Sequence, residues 1–195
     1  MAGDLLDIRA FVAIELPQTV KSFLKGIVGE LERCRTDVKW VKPEGMHLTL
    51  KFLGSVRTDL LPVIERDLKP VFESQTAMEL RVRRLGAFPG LGRPRVIWAG
   101  LDDLSGRLAT LAEDVESRLE LLGFPREKRS FSAHLTLGRI RANTSRDREL
   151  IEAVRQKLDI SGPTFVVDHA VLFQSMLKPS GAEYSPVFRC DFSKG

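Results

Sequence analysis

The sequence predicts an α+β fold: a bilobal, pseudo-two-fold duplication in which each lobe is a small antiparallel sheet with helices on its outer face. Two observations predict it. The word HLTL occurs twice, as His47–Leu50 and as His134–Leu137, and the two copies stand 87 positions apart. The same shift keeps the strand-like and helix-like runs around the two copies in phase. The half-repeats run over about 8–88 and 95–176, inside one domain spanning 1–195. A cleft between two such lobes is a natural ligand site.

Each element has its own signal. IRAFVAIEL (8–16) is apolar and rich in β-branched and aromatic residues, as is its counterpart RVIWAGLDD (95–103), so both read as strands. QTVKSFLKGIVGELERC (18–34) reads as a helix, and so does SGRLATLAEDVESRLEL (105–121). There Leu108, Leu111, Val115, Leu119 and Leu122 recur at three-to-four spacing, with Ser105 at the N-cap position. The HLTL strand comes next in each half, followed by helices over 58–69 and 145–158 and strands over 78–88 and 165–176. YSPVFRCDF (184–192) forms a last strand without a counterpart. KPEG, PGLGRP and KPSG mark turns. PGLGRP lacks the GK[ST] ending of a phosphate loop.

Composition narrows the function classes. Hydrophobic residues make up 43% and charged residues 29%, which fits a folded globular domain rather than a disordered chain. A net charge of +4 leans toward anionic partners. The first seventeen residues carry Asp4, Asp7, Arg9 and Glu15 through their apolar stretch, unlike a signal peptide. No run is long enough for a membrane span, so the expected setting is cytoplasmic. Cys34 and Cys190 stand far apart and read as free thiols. Nothing signals oligomerisation, and a monomer is expected.

The chemistry lies in HLTL. Strand side chains alternate between faces, so His47 and Thr49 point one way while Leu48 and Leu50 point the other. The same holds for His134 and Thr136 against Leu135 and Leu137. The leucines anchor each strand, and the two His-x-Thr pairs face a shared cleft. Two imidazoles and two hydroxyls around one pocket are what phosphodiester cleavage needs. One imidazole removes a proton, a second donates one, and the hydroxyls hold the non-bridging oxygens. His169 matches no motif and reads as structural. With no third clustered ligand beside the two histidines, no metal is expected. Trp40, Phe11, Phe52, Phe173 and Tyr184 are candidates for base stacking, and Arg81, Arg83 and Arg84 for an RNA backbone or a solvated face.

On these residues the chain resembles the two-histidine (2H) phosphoesterase superfamily. It is most similar there to the RNA 2′,3′-cyclic phosphodiesterases, long called 2′–5′ RNA ligases. The resemblance is carried by RAFVAIELP, MHLTLKFLG, FPGLGRPRVIWAGL, FSAHLTLGRI and VLFQSMLKPSGAEYSPV. It implies cofactor-free, metal-independent opening of a 2′,3′-cyclic phosphate on RNA ends or cyclic nucleotides, leaving a 2′-phosphate. By the same resemblance His47 is the proton donor and His134 the proton acceptor, with Thr49, Thr136 and Arg139 on the phosphate. Strict alternation puts Arg139, five positions after His134, on the wrong face, so a bend near Gly138 is required. The rival reading is a nucleotide- or RNA-binding module on the same scaffold without turnover. Reversible 2′–5′ joining would share the hydrolytic site.

Overall fold

The computed structural model describes residues 6–141, 147–178 and 181–193. Among them are nine strands and four α-helices. The order is β1 (Asp7–Glu15), α1 (Gln18–Glu32), β2 (Val38–Trp40), β3 (His47–Arg57), α2 (Leu61–Glu73), β4 (Met78–Phe88) and β5 (Val96–Asp103). It continues with α3 (Leu108–Leu121), β6 (His134–Ile140), α4 (Asp147–Arg155), β7 (Ser161–Val167), β8 (His169–Lys178) and β9 (Gly181–Asp191). Two expected elements changed, and a third lies partly outside the described residues. The helix over 58–69 opens with a 3-10 turn, Thr58–Leu60, before α2. The strand over 165–176 is broken at Asp168 into β7 and β8, which join different sheets. The start of the helix over 145–158 lies outside the described residues.

The strands form two antiparallel sheets, one in the order β3-β1-β8-β9 and the other β2-β6-β5-β4-β7. A shift of 87 maps β3, β1 and β4 onto β6, β5 and β8. The orders β3-β1-β8 and β6-β5-β4 are therefore one pattern used twice, with the third strand exchanged. Each lobe takes strands from both halves of the chain, not from one half as the linear order suggests. The exchanged strands are both apolar, and nothing in either run says which sheet it completes.

The helices are exchanged too. α2 and α3 pack together and cover the first sheet through β9 and β3, while α1 and α4 cover the second through β7 and β4. Their inward faces are apolar: Val20, Leu24, Ile27, Val28 and Leu31 on α1, and Leu108, Leu111, Ala112, Val115 and Leu119 on α3 are buried. Each large side chain withdrawn from water contributes about 1.5–3 kcal/mol. α3 starts later than expected, because Asp103 rather than Ser105 closes its N-terminus. One Asp103 carboxylate oxygen accepts from the Ser105 and Gly106 amides at 3.0 and 2.9 Å. The other accepts from the Leu108 amide at 2.7 Å. This satisfies donors that a helix start leaves unpaired.

Candidate active site

Each histidine is the first residue of its strand, His47 of β3 and His134 of β6. Each is held in the same way. His47 Nδ1 lies 2.9 Å from the Gly45 carbonyl, and His134 Nδ1 lies 2.7 Å from the Ser132 carbonyl. A carbonyl only accepts, so Nδ1 carries the proton and donates it. In the neutral ring Nε2, on the far edge, is then a lone-pair site. The leucines of both motifs are buried, at 0% and 5% exposure in β3 and 0% each in β6, while His47, Thr49, His134 and Thr136 are half-buried. The motifs alternate as expected.

Each motif strand then breaks that alternation at the same step. In β3 Thr49 pairs with Ala13 and Lys51 with Val12, so Leu50 is the extra residue of a bulge. In β6 Thr136 pairs with Trp98 and Gly138 with Ile97, so Leu137 is its equivalent. A bulge reverses which face the following residues take. It turns Lys51 toward the helices and Phe52 away from them, with Phe52 59% exposed. In β6 it buries Gly138 and brings Arg139, paired with Val96, onto the face of Trp98 and Thr136. The required bend exists, one residue earlier than expected.

The two motif strands meet where the sheets adjoin, since β3 and β6 are in contact. Tyr184 links the sides. Its ring stands edge-on to His47, with centroids 5.1 Å apart. Burial pushes its hydroxyl pKa up, and the positive charge of Arg139 opposes that rise. Thus Arg139, on the second sheet, acts electrostatically on a residue that touches His47 on the first.

The two imidazoles differ in their surroundings. His47 is stacked on Phe11 at 4.6 Å, and Phe11 on Phe173 at 5.4 Å. Burial holds the His47 pKa down at about 4, the Gly45 carbonyl opposes the shift, and the Lys21 charge adds to it. Among the described residues His134 meets one ring, Phe88, edge-on at 5.0 Å. A cavity of about 150 Å³ opens beside His47, and Glu15, Lys21, Glu44 and Tyr184 contribute to its wall.

The His47 shift has a consequence for stability. A ring that titrates near 4 when folded and near 6.5 when unfolded leaves the folded state with fewer bound protons between those values. Stability from this group is therefore full above pH 6.5 and is lost as pH falls toward 4. The effect is at most about 3 kcal/mol. Urea unfolding at pH 7 and at pH 4.5 checks it: wild type should lose more stability on acidification than His47→Gln.

Other sequence candidates fall into place. Phe11 and Phe173 are 2% and 8% exposed and back the His47 ring. Trp40 lies over Gly138, where a β-carbon would stand 2.6 Å from its ring. Phe52 and Tyr184 remain accessible. Arg81, Arg83 and Arg84 converge on Asp102 at 3.7, 3.9 and 3.3 Å, and Arg83 also donates to Asp159 at 2.8 Å, so two carboxylates face three guanidinium groups. His169 sits between Asp168, at 2.6 Å, and Glu15, at 3.2 Å. The cysteines are free thiols. Sequence reasoning missed Glu15, Lys21, Glu44 and Phe88, which no motif marks. Glu15 is legible only once its pairing with His47 across β1 and β3 is known. Among the described residues, no group of three or more His, Cys, Asp or Glu is placed to hold a metal ion, and no helix is long and apolar enough to cross a membrane.

Comparison with known proteins agrees with this geometry. The family model for LigT-like phosphoesterases matches the chain twice, over residues 14–98 and 101–184. The two matches begin 87 positions apart, the shift that superposes the HLTL copies. The chain is 37% identical over 176 residues to the RNA 2′,3′-cyclic phosphodiesterase of Archaeoglobus fulgidus, covering 90% of this chain and 96% of that one. It is 30% identical over 186 residues to the enzyme of the same name from Methanothermobacter thermautotrophicus, covering 94% and 100%. Among solved structures, a Thermus thermophilus protein superposes with a TM-score of 0.81 at 27% identity, covering 96% of this chain and 99% of that one. E. coli LigT complexed with 3′-AMP shares the fold, with a TM-score of 0.74 at 22% identity over 97% of this chain and all of that one. With two family matches that together span most of its length, this chain belongs to the LigT-like phosphoesterase family.

Proposed function

We propose that the protein hydrolyses 2′,3′-cyclic phosphodiester ends of RNA or nucleotides to 2′-phosphomonoesters, without a cofactor. The observation that carries this reading is the matched pair of imidazoles. Both have Nδ1 locked on a carbonyl two residues back, and both start a strand that bulges after HLTL. Relatives that cover nearly the whole chain and bear the name RNA 2′,3′-cyclic phosphodiesterase support it.

In this mechanism His134 Nε2 accepts a proton from water as the water oxygen bonds to phosphorus. The bond from phosphorus to O3′ breaks, and His47 delivers a proton to O3′. Thr49, Thr136 and Arg139 bind the non-bridging oxygens, where charge concentrates. Phe52, exposed on the same face as His47, offers a ring to a base. The donor role requires a charged His47, which burial disfavours in the free protein. An anionic diester beside the ring supplies the compensating charge, so His47 takes up its proton as substrate binds.

The test is an assay of purified protein, with chelator present, on an RNA oligonucleotide ending in a 2′,3′-cyclic phosphate. The expected product is the 2′-phosphomonoester at an unchanged rate with chelator. Binding without conversion would instead support a non-catalytic module, and a 3′-phosphate product would exchange the leaving oxygen. Adding an RNA with a free 5′-hydroxyl to the same assay detects 2′–5′ joining, in which that hydroxyl takes the place of water as the nucleophile at the same site.

A further inference from the structure

We propose that Trp98 is a stacking platform for the nucleobase next to the scissile phosphate; this rests on the proposed reading of the cleft as a phosphodiester site. Trp98 pairs with Thr136 across β5 and β6, so its indole shares the face of His134, Thr136 and Arg139. Side chains paired this way stand roughly 5 Å apart, so the ring borders the phosphate position at about one nucleotide's reach.

The sheet is built to let the indole lie flat. Gly86 pairs with Trp98 on β4, and a side chain there would collide with the six-membered ring of the indole. Gly100 stands two residues on, and a β-carbon there would meet Trp98 Cζ3 at 3.2 Å and the Arg83 carbonyl at 2.9 Å. Any larger residue at Gly86 would lift the ring off the sheet.

The other half of the repeat provides the contrast. The shift of 87 places Trp98 on Phe11, Gly86 on Phe173 and Gly100 on Ala13. On the first sheet the equivalent aromatic, Phe11, is buried because His47 and Phe173 stack upon it. On the second sheet the corresponding aromatic is the larger indole, and it is half-buried, with its Nε1 donor buried and, among the described residues, unpaired. Among the described residues its single aromatic neighbour is Phe88, tilted by 32° at 5.2 Å, and Phe88 in turn meets His134 edge-on. The accessible part of the ring therefore lies next to a cleft that takes a nucleotide, and stacking on an aromatic face is the sequence-tolerant way to hold an unpaired base.

Two measurements test this. Adenosine 2′-monophosphate should quench the intrinsic fluorescence of wild type saturably, inorganic phosphate should not, and Trp98→Phe should lose the quench. Trp98→Leu, checked for native circular dichroism, should raise KM for adenosine 2′,3′-cyclic monophosphate about tenfold with kcat changed less than about threefold, and Trp98→Phe should recover most of that loss. A quench that is absent, equally strong with inorganic phosphate, or retained in Trp98→Phe overturns the platform. So does an unchanged KM in Trp98→Leu. The titration does not depend on turnover: a base-dependent quench in a protein that fails to hydrolyse the cyclic phosphate would leave the platform standing and overturn the catalytic reading. Turnover without the quench would do the reverse.

Discussion

His47→Ala and His134→Ala should each lower kcat on a 2′,3′-cyclic phosphodiester by about 10²–10⁴-fold, the usual contribution of a positioned acid or base. Each substitution removes the Nε2 that would exchange a proton with the reacting oxygens, and leaves Thr49, Thr136 and Arg139 to bind the phosphate. KM should therefore change less than kcat. The two losses should not add: the double variant should fall little below the weaker single one, because groups that act in one step fail as a unit. Single-turnover kinetics on RNA ending in a cyclic phosphate measure this directly. His47→Ala also removes a ring packed on Phe11, so native circular dichroism at the assay temperature is the companion measurement. Full activity in both variants would exclude the pair as acid and base.

Lys51→Met should destabilise the fold by about 3 kcal/mol, toward the lower end for breaking a buried ion pair. The β3 bulge aims Lys51 into the layer between the first sheet and α3, where it is 2% exposed. Its Nζ donates to Glu116 Oε2 at 2.6 Å and to the Pro125 carbonyl at 2.8 Å. Methionine fills the space but leaves a carboxylate, itself 13% exposed, and a carbonyl without their donor. Lys51→Met with Glu116→Leu should recover most of the loss, since the cost comes from the orphaned partner. Urea unfolding of the three variants measures both effects. The pair also matters for the site, because it holds β3 one residue after the bulge that turns Phe52 away from the helices.

How much of this was legible in the sequence depended on the kind of signal. Local periodicity was enough for α1, α3, β1, β4 and β5, whose limits lie within three residues of expectation. The four motif residues were legible because one word appears twice at one offset, and alternation alone puts its histidines and threonines opposite buried leucines. The strand exchange was not legible, because pairing is a non-local choice and β4 and β8 offer either sheet an apolar face. Nor were the bulges. Strict alternation put Arg139 on the wrong face, and only the pairing of Gly138 with Ile97 shows Leu137 as the extra residue. β2 was missed because three residues, Val38–Trp40, are too few for any period to show. The cavity wall beside His47 was missed for a related reason. Glu15, Lys21 and Glu44 come from separate elements, and only tertiary packing brings them together.

Two histidines from two halves of the chain should face one phosphate. The protein has three histidines, so its imidazole proton spectrum contains three assignable pairs of ring-proton signals. Titration with adenosine 2′-monophosphate, followed by nuclear magnetic resonance, should move the His47 and His134 signals together along one binding curve with one Kd. His169, clamped between Asp168 and Glu15, should respond least. Movement of one motif histidine alone, or of both with different Kd values, would contradict a shared site.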